Sequence, residues 1–149
     1  MVHAIPLPLR IEHDELHDTL RRATKESGEV GEAARDVARL MHPHFIKEEE
    51  YALPPLGLLP SLARGEFTPD MSGVLALTDK LKAELPQLLE EHKSIVASLR
   101  KLAAAAKLAD KAEYVEFADK LMLHAQTEEE VSYPTAILIG EFVRSKLRL

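Results

Sequence analysis

Residues 44–54, HFIKEEEYALP, and residues 124–134, HAQTEEEVSYP, follow one pattern: a histidine, three residues, three glutamates, then a proline at the end. The copies stand about 80 residues apart, and the offset holds upstream, where Glu12-His13 before Leu20-Arg21 matches Glu91-His92 before Leu99-Arg100. Each half of the chain therefore carries one histidine in its first segment and a His-x-x-x-Glu in its second. An i, i+4 spacing puts His44 with Glu48, and His124 with Glu128, on one face of a helix.

The segments that carry these residues read as amphipathic helices over about 9–25, 30–51, 81–107 and 111–133, each with an apolar stripe at three-then-four spacing. The stripe of the second runs Val30, Ala34, Val37, Met41, His44, Glu48, Tyr51; that of the fourth runs Tyr114, Phe117, Leu121, His124, Glu128, Val131. Gly28 separates the first pair, and Asp110 with Glu113 has capping-box spacing before the fourth. Pro43 and Pro86 lie inside the pattern and predict a kink or local break. Pro54-Pro55 and Pro134 are expected to close the second and fourth helices. Residues 54–73 hold four of the nine prolines and three of the six glycines, a loop between the halves. Its leucines (Leu56, Leu58, Leu59, Leu62) predict that it packs over one end, as does a short amphipathic helix at 137–147. With no strand-like alternation, the fold class is all-α, a four-helix bundle formed as one domain over residues 1–149 from hairpins at about 9–53 and 79–133.

Composition agrees. The 149 residues are 46% hydrophobic and 30% charged, with aromatics at 5% and no cysteine, which excludes disulfides, thiolate metal sites and thiol nucleophiles. A net charge of −6 argues against nucleic acid as a partner, and no apolar run approaches the 18 or so residues of a membrane span. The proline-bearing N-terminus is a poor leader, so the expected compartment is cytoplasmic. Oligomeric state is not legible.

Numbering sets the height of the histidines. His13 and His44 are centred on Gly28, and His92 and His124 on Leu108, so each pair lies roughly 20–24 Å from its own turn at about 1.5 Å per residue. Two such hairpins packed with their turns at one end bring four histidines and two glutamates into one layer. Buried unpaired carboxylates cost several kcal/mol each, and neutral imidazoles cannot offset their charge. A dication can. Nitrogen and oxygen donors without sulfur suit iron, manganese or zinc, and the repeat suggests two ions.

The order His13, His44-x-x-x-Glu48, His92, His124-x-x-x-Glu128, with Glu12-His13-Asp14-Glu15-Leu16, His44-Phe45 and Glu91-His92-Lys93 around it, resembles the hemerythrin-like family, the HHE cation-binding domains. The resemblance covers about residues 9–134. It implies an up-down-up-down bundle around a non-haem di-iron centre with an oxo or hydroxo bridge. It assigns His13 and His44 to one iron, His92 and His124 to the other, and Glu48 and Glu128 to the bridges. Two features depart from the oxygen carriers of the family. Val96 stands where they have the second histidine of His-x-x-x-His, and Glu128 sits one residue before their bridging aspartate. With about one open position then left on each iron, the centre is exposed to small ligands.

His17, four residues after His13 at the repeat position of Val96, is the candidate for a further ligand; otherwise it is a histidine beside the apolar face. His42 and His3 are expected to face solvent, Tyr51 and Tyr133 to pack in the core, with a redox-active or hydrogen-bonding tyrosine as the alternative. Glu49, Glu50, Glu129 and Glu130 are expected to form acidic faces, with Glu49 able to reach a ligand histidine. No histidine has a glutamate three residues before it, which argues against a ferritin-type site. The expected function is binding or sensing of O2, NO or peroxide. An enzyme breaking down peroxide or handling nitric oxide, and a metal-braced interaction module, are the alternatives.

Overall fold

The computed structural model describes residues 4–148, so His3 lies outside the described residues. The described chain is all-helical: α1 (Leu7–Thr24), α2 (Gly28–Lys47), a short α3 (Leu59–Ala63), α4 (Val74–Leu108), α5 (Ala112–Thr127) and α6 (Tyr133–Leu147). Four long helices close a ring, α1 packing on α2 and α5, and α4 packing on the same two. No helix among the described residues is long and apolar enough to cross a membrane.

The stripes explain the ring. α1 buries His13, Leu16, Leu20 and Ala23, and α5 buries Tyr114, Phe117, Ala118, Leu121 and Ala125. These side chains meet those of α2 and α4 in one apolar cluster that includes Met41, Phe45, Ile95 and Leu99. A second cluster joins Tyr51, Leu53, Leu56, Leu81, Leu88, Tyr133 and Val143. At about 1.5–3 kcal/mol for each fully buried large apolar side chain, the two clusters supply the driving force for folding. The histidines and the paired glutamates fall between them. Leu16, Met41, Ile95 and Leu121, three residues from His13, His44, His92 and His124 respectively, all belong to the first cluster.

Several boundaries differ from those read in the sequence. Pro43 and Pro86 do not break their helices; α2 and α4 run through both. Both prolines are exposed, so water can satisfy the carbonyl one turn earlier while the buried stripe holds the helix on either side. Asp110 is not a capping residue. It takes a left-handed conformation (φ 58°), which aspartate tolerates, and α5 begins after Lys111 with no side-chain cap. Gly28, at φ +68°, makes the corresponding turn between α1 and α2. Pro134 starts α6 in its first turn, where its missing amide costs nothing.

The segment expected as a loop carries 3-10 turns at Pro54–Leu58 and Pro69–Gly73 around α3. Pro54, Pro55, Leu56 and Leu58 are buried beneath α6 and α4, whereas Leu59 stays exposed.

Candidate metal centre

Both His-x-x-x-Glu motifs end in the same local irregularity. From Glu48 to Ala52 and from Glu128 to Ser132 the backbone widens into a π-helical turn. The amide of Leu53 donates to the Glu48 carbonyl at 2.9 Å, and that of Tyr133 donates to the Glu128 carbonyl. Such turns add a residue to the helix without breaking it and recur at functional sites. Here the first brings Glu48, Tyr51 and Ala52 inward together, and the second carries Glu128 and Ser132 into the interior with Tyr133 following directly.

His13, His44, Glu48, His92 and Glu128 are at most 3% exposed, and His124 is nearly as enclosed, with 9% of its side chain exposed. Their donor atoms fall into two overlapping groups, His13, Glu48, His124, Glu128 and His44, Glu48, His92, Glu128, each with all four atoms within 4.8 Å of one another. The pairing is not the one expected. His13 sits with His124 and His44 with His92, so each group draws its histidines from two different hairpins. Glu48 and Glu128 belong to both groups.

The distances suit coordination. Ligands about 2.1 Å from one ion and at right angles stand about 3.0 Å apart. His44 Nε2 lies 2.9 Å from His92 Nε2 and 3.3 Å from Glu48 Oε1. His92 Nε2 lies 3.2 Å from Glu128 Oε1, and His124 Nε2 lies 3.0 Å from Glu128 Oε2. His13 Nε2 is more distant, 3.7 Å from Glu128 Oε2.

A ring of outer carboxylates fixes which nitrogen faces inward. His44 Nδ1 donates to Glu91 at 2.9 Å, and His124 Nδ1 donates to Glu12. Glu49 faces His13 Nδ1 at 3.6 Å, and Glu129 faces His92 Nδ1 at 3.4 Å. At His44 and His124 the proton donated from Nδ1 turns Nε2 inward, whereas the Nδ1 atoms of His13 and His92 find no hydrogen-bond partner among the described residues. The four Nε2 atoms and two carboxyl groups converge. Glu48 Oε1, Glu128 Oε2 and the Nε2 atoms of His13 and His124 find no hydrogen-bond partner among the described residues. Two cations back the ring, Arg10 on Glu49 at 2.5 Å and Lys47 on Glu91 at 2.5 Å. With every carboxyl group ionised, six carboxylates against two cations would leave a charge of −4, which two divalent ions would neutralise.

The protonation pattern of the chain alone reflects the same convergence. Burial, with the negative charge of Glu128 beside it, holds the Glu48 carboxyl protonated far above the usual carboxylate range. Burial also works against ionising Glu128, but hydrogen bonding with Glu48, His124, His13 and His92 outweighs it and holds this group well below that range. The pair thus shares one proton. Burial pushes His44 down, while at His124 the carboxylates of Glu128 and Glu12 overcome burial and push it up.

Tyr133 takes the hydrogen-bonding role that the sequence offered only as the alternative to core packing. Expected as core packing, it is fully enclosed, yet its hydroxyl donates to Glu48 Oε2 at 2.8 Å and lies 3.3 Å from His92 Nε2, 3.5 Å from His44 Nε2 and 3.4 Å from Glu128 Oε1. Burial and the two carboxylates push its phenol strongly upward, so the proton stays on. Tyr51 does pack in the core as expected, its hydroxyl unpartnered among the described residues. Glu12, Glu91 and Glu129 were missed as partners of the histidines. Their signal was adjacency: each precedes or follows a repeat ligand directly. Glu49 faces His13 but stays short of the hydrogen bond anticipated for it.

His17 is not brought into the cluster. It is half-buried against Phe45, ring centroids 4.6 Å apart, outside both donor groups. His42 is exposed. Comparison of the chain with family models, with curated proteins and with solved structures finds no match in any of the three.

Proposed function

We propose that the chain is a hemerythrin-like protein whose up-down-up-down bundle holds two iron ions and binds a small ligand such as O2, NO or peroxide. The observation that carries this reading is the pair of overlapping donor groups sharing Glu48 and Glu128. His13 and His124 would serve one ion, His44 and His92 the other, and both glutamates would bridge. The donors are equally able to hold manganese or zinc; iron is proposed for its ligand chemistry. Bound in this way, the ions supply Lewis-acidic and redox-active positions that the protein leaves vacant.

The chain's own groups prepare the layer. Glu91 and Glu12 accept from Nδ1 of His44 and His124 and orient these imidazoles with Nε2 inward, with Glu49 and Glu129 standing near His13 and His92. Glu48 gives up its proton when a cation replaces it. Tyr133 keeps a hydroxyl proton inside the layer, within hydrogen-bond reach of both bridging glutamates. The two apolar clusters exclude bulk water above and below.

The test is spectroscopic. Iron-loaded protein exposed to oxygen or nitric oxide should change its visible absorption, and the change should reverse when the gas is removed. Steady oxygen evolution from added peroxide, abolished in Glu48→Ala, would instead support a peroxide-consuming enzyme. An apo-protein that loses its helicity and recovers it with redox-inert zinc, without any ligand response in the iron form, would favour a metal-braced module.

A further inference from the structure

The repeat that places the donors is broken at one position beside them. The mate of Phe45 is Ala125, and the mate of His17 is Val96. On the α1–α2 side the Phe45 ring lies 4.8 Å from His13 and 4.6 Å from His17, so two rings fill the space next to the layer. On the α4–α5 side no ring stands there. An open groove of about 590 Å³ runs along Val96, Met122, Ala125 and Gln126 as far as His92. Inside, a cavity of about 10 Å³ lies against the donor layer, with His44, His92, His124 and Glu128 on one side and Met41, Ile95, Leu121 and Ala125 on the other. Groove and cavity thus share two walls, the His92 ring and the Ala125 methyl group.

We propose that a diatomic ligand reaches the layer through one side only, from the α4–α5 groove past Ala125, and that Phe45 seals the equivalent path. This inference rests on the metal reading above and names the access and size selection of that same site. The cavity is about the size of one water molecule, and Met41, Ile95, Leu121 and Ala125 form the apolar part of its wall, opposite the donors. Such a space admits only a molecule of a few atoms without rearrangement of its walls. Ala125 is the residue that decides the width of the passage. A larger side chain at that point would occupy the cavity, the groove or both. Met122, long and unbranched, lines the groove beside it and can yield to a passing molecule.

The test exchanges the two mates. Nitric oxide is mixed with ferrous-loaded protein in a stopped-flow instrument, for the wild type, Ala125→Phe and Ala125→Val, with metal content measured on each. Ala125→Phe should retain its metal and slow association about tenfold or more, with Ala125→Val between the two. In a second arm, metal-free protein is placed under oxygen pressure, and paramagnetic relaxation is read at the methyl groups of Ile95 and of its repeat mate Leu16. The wild type should show the stronger effect at Ile95. Ala125→Phe should remove that effect, and Phe45→Ala should create one at Leu16. Wild-type association rates in a metal-replete Ala125→Phe, or equal relaxation at Ile95 and Leu16 in the wild type, would overturn the proposal. Should the wild type bind no metal, the metal reading fails by itself, and the relaxation arm still decides the path.

Discussion

Removing the Tyr133 hydroxyl separates a working polar layer from a merely packed one. In the metal-free protein that hydroxyl donates to Glu48 Oε2 at 2.8 Å in a fully enclosed position. Tyr133→Phe keeps the ring and its stacking on His92, 5.7 Å between centroids, and deletes only the donor. A buried acceptor left without its donor costs about 1–3 kcal/mol. For a chain of this length each kcal/mol lowers the melting temperature by about 2–4 °C, so a central value near 2 kcal/mol corresponds to about 4–8 °C.

Tyr51→Phe is the control of opposite design. Its hydroxyl is equally buried but has no partner among the described residues, while the packing of Lys80 over the ring, 5.0 Å to the centroid, survives the change. That variant should be neutral within about 0.5 kcal/mol, or more stable. The assay is thermal unfolding of both variants beside the wild type, in chelator, followed by circular dichroism. Equal losses in the two variants, or none in Tyr133→Phe, would refute the assignment of Tyr133 to the layer.

Other outcomes follow from the same geometry. His44→Ala combined with His92→Ala should cost one metal ion per chain, whereas His44→Ala combined with His124→Ala should damage both sites; metal analysis distinguishes this cross-hairpin pairing from the within-hairpin alternative. Glu91→Ala removes the acceptor of His44 Nδ1 and should weaken metal binding about 10–100-fold, as read by competition with a chelating dye. Metal loading should also release protons. Because burial and the charge of Glu128 raise Glu48 above the usual carboxylate range, it keeps its proton to higher pH than an ordinary glutamate, and loading must displace that proton. An indicator-dye titration repeated upward from weakly acidic pH should show less release in Glu48→Gln than in the wild type.

The helices and the height of the ligands were legible because both follow from local periodicity and from the repeat. Positions at three-then-four spacing bury whatever they carry, and residues equidistant from a turn share a level. Which ligands share an ion was not legible, because all four histidines occupy one level. Only the folded bundle groups the donors, His13 with His124 and His44 with His92, across the two hairpins.

The role of Tyr133 stood only as an alternative for a related reason. It lies one residue before Pro134, where the sequence suggests a helix end, but a π-helical turn carries the chain onward and puts the hydroxyl over the glutamates. The outer carboxylates resemble any acidic helix face until the neighbouring helices are in place. Pro43 and Pro86 misled because the cost of a missing amide is small where the carbonyl it leaves faces water.

The central claim is that cations, not protons alone, hold Glu48 and Glu128 together among four imidazoles. Anaerobic loading with ferrous iron, followed by removal of excess and elemental analysis, tests it most directly. The account predicts two ions per chain, lost in the double variant Glu48→Ala, Glu128→Ala. A wild-type protein that retains none, or a double variant that retains as much as the wild type, would contradict it.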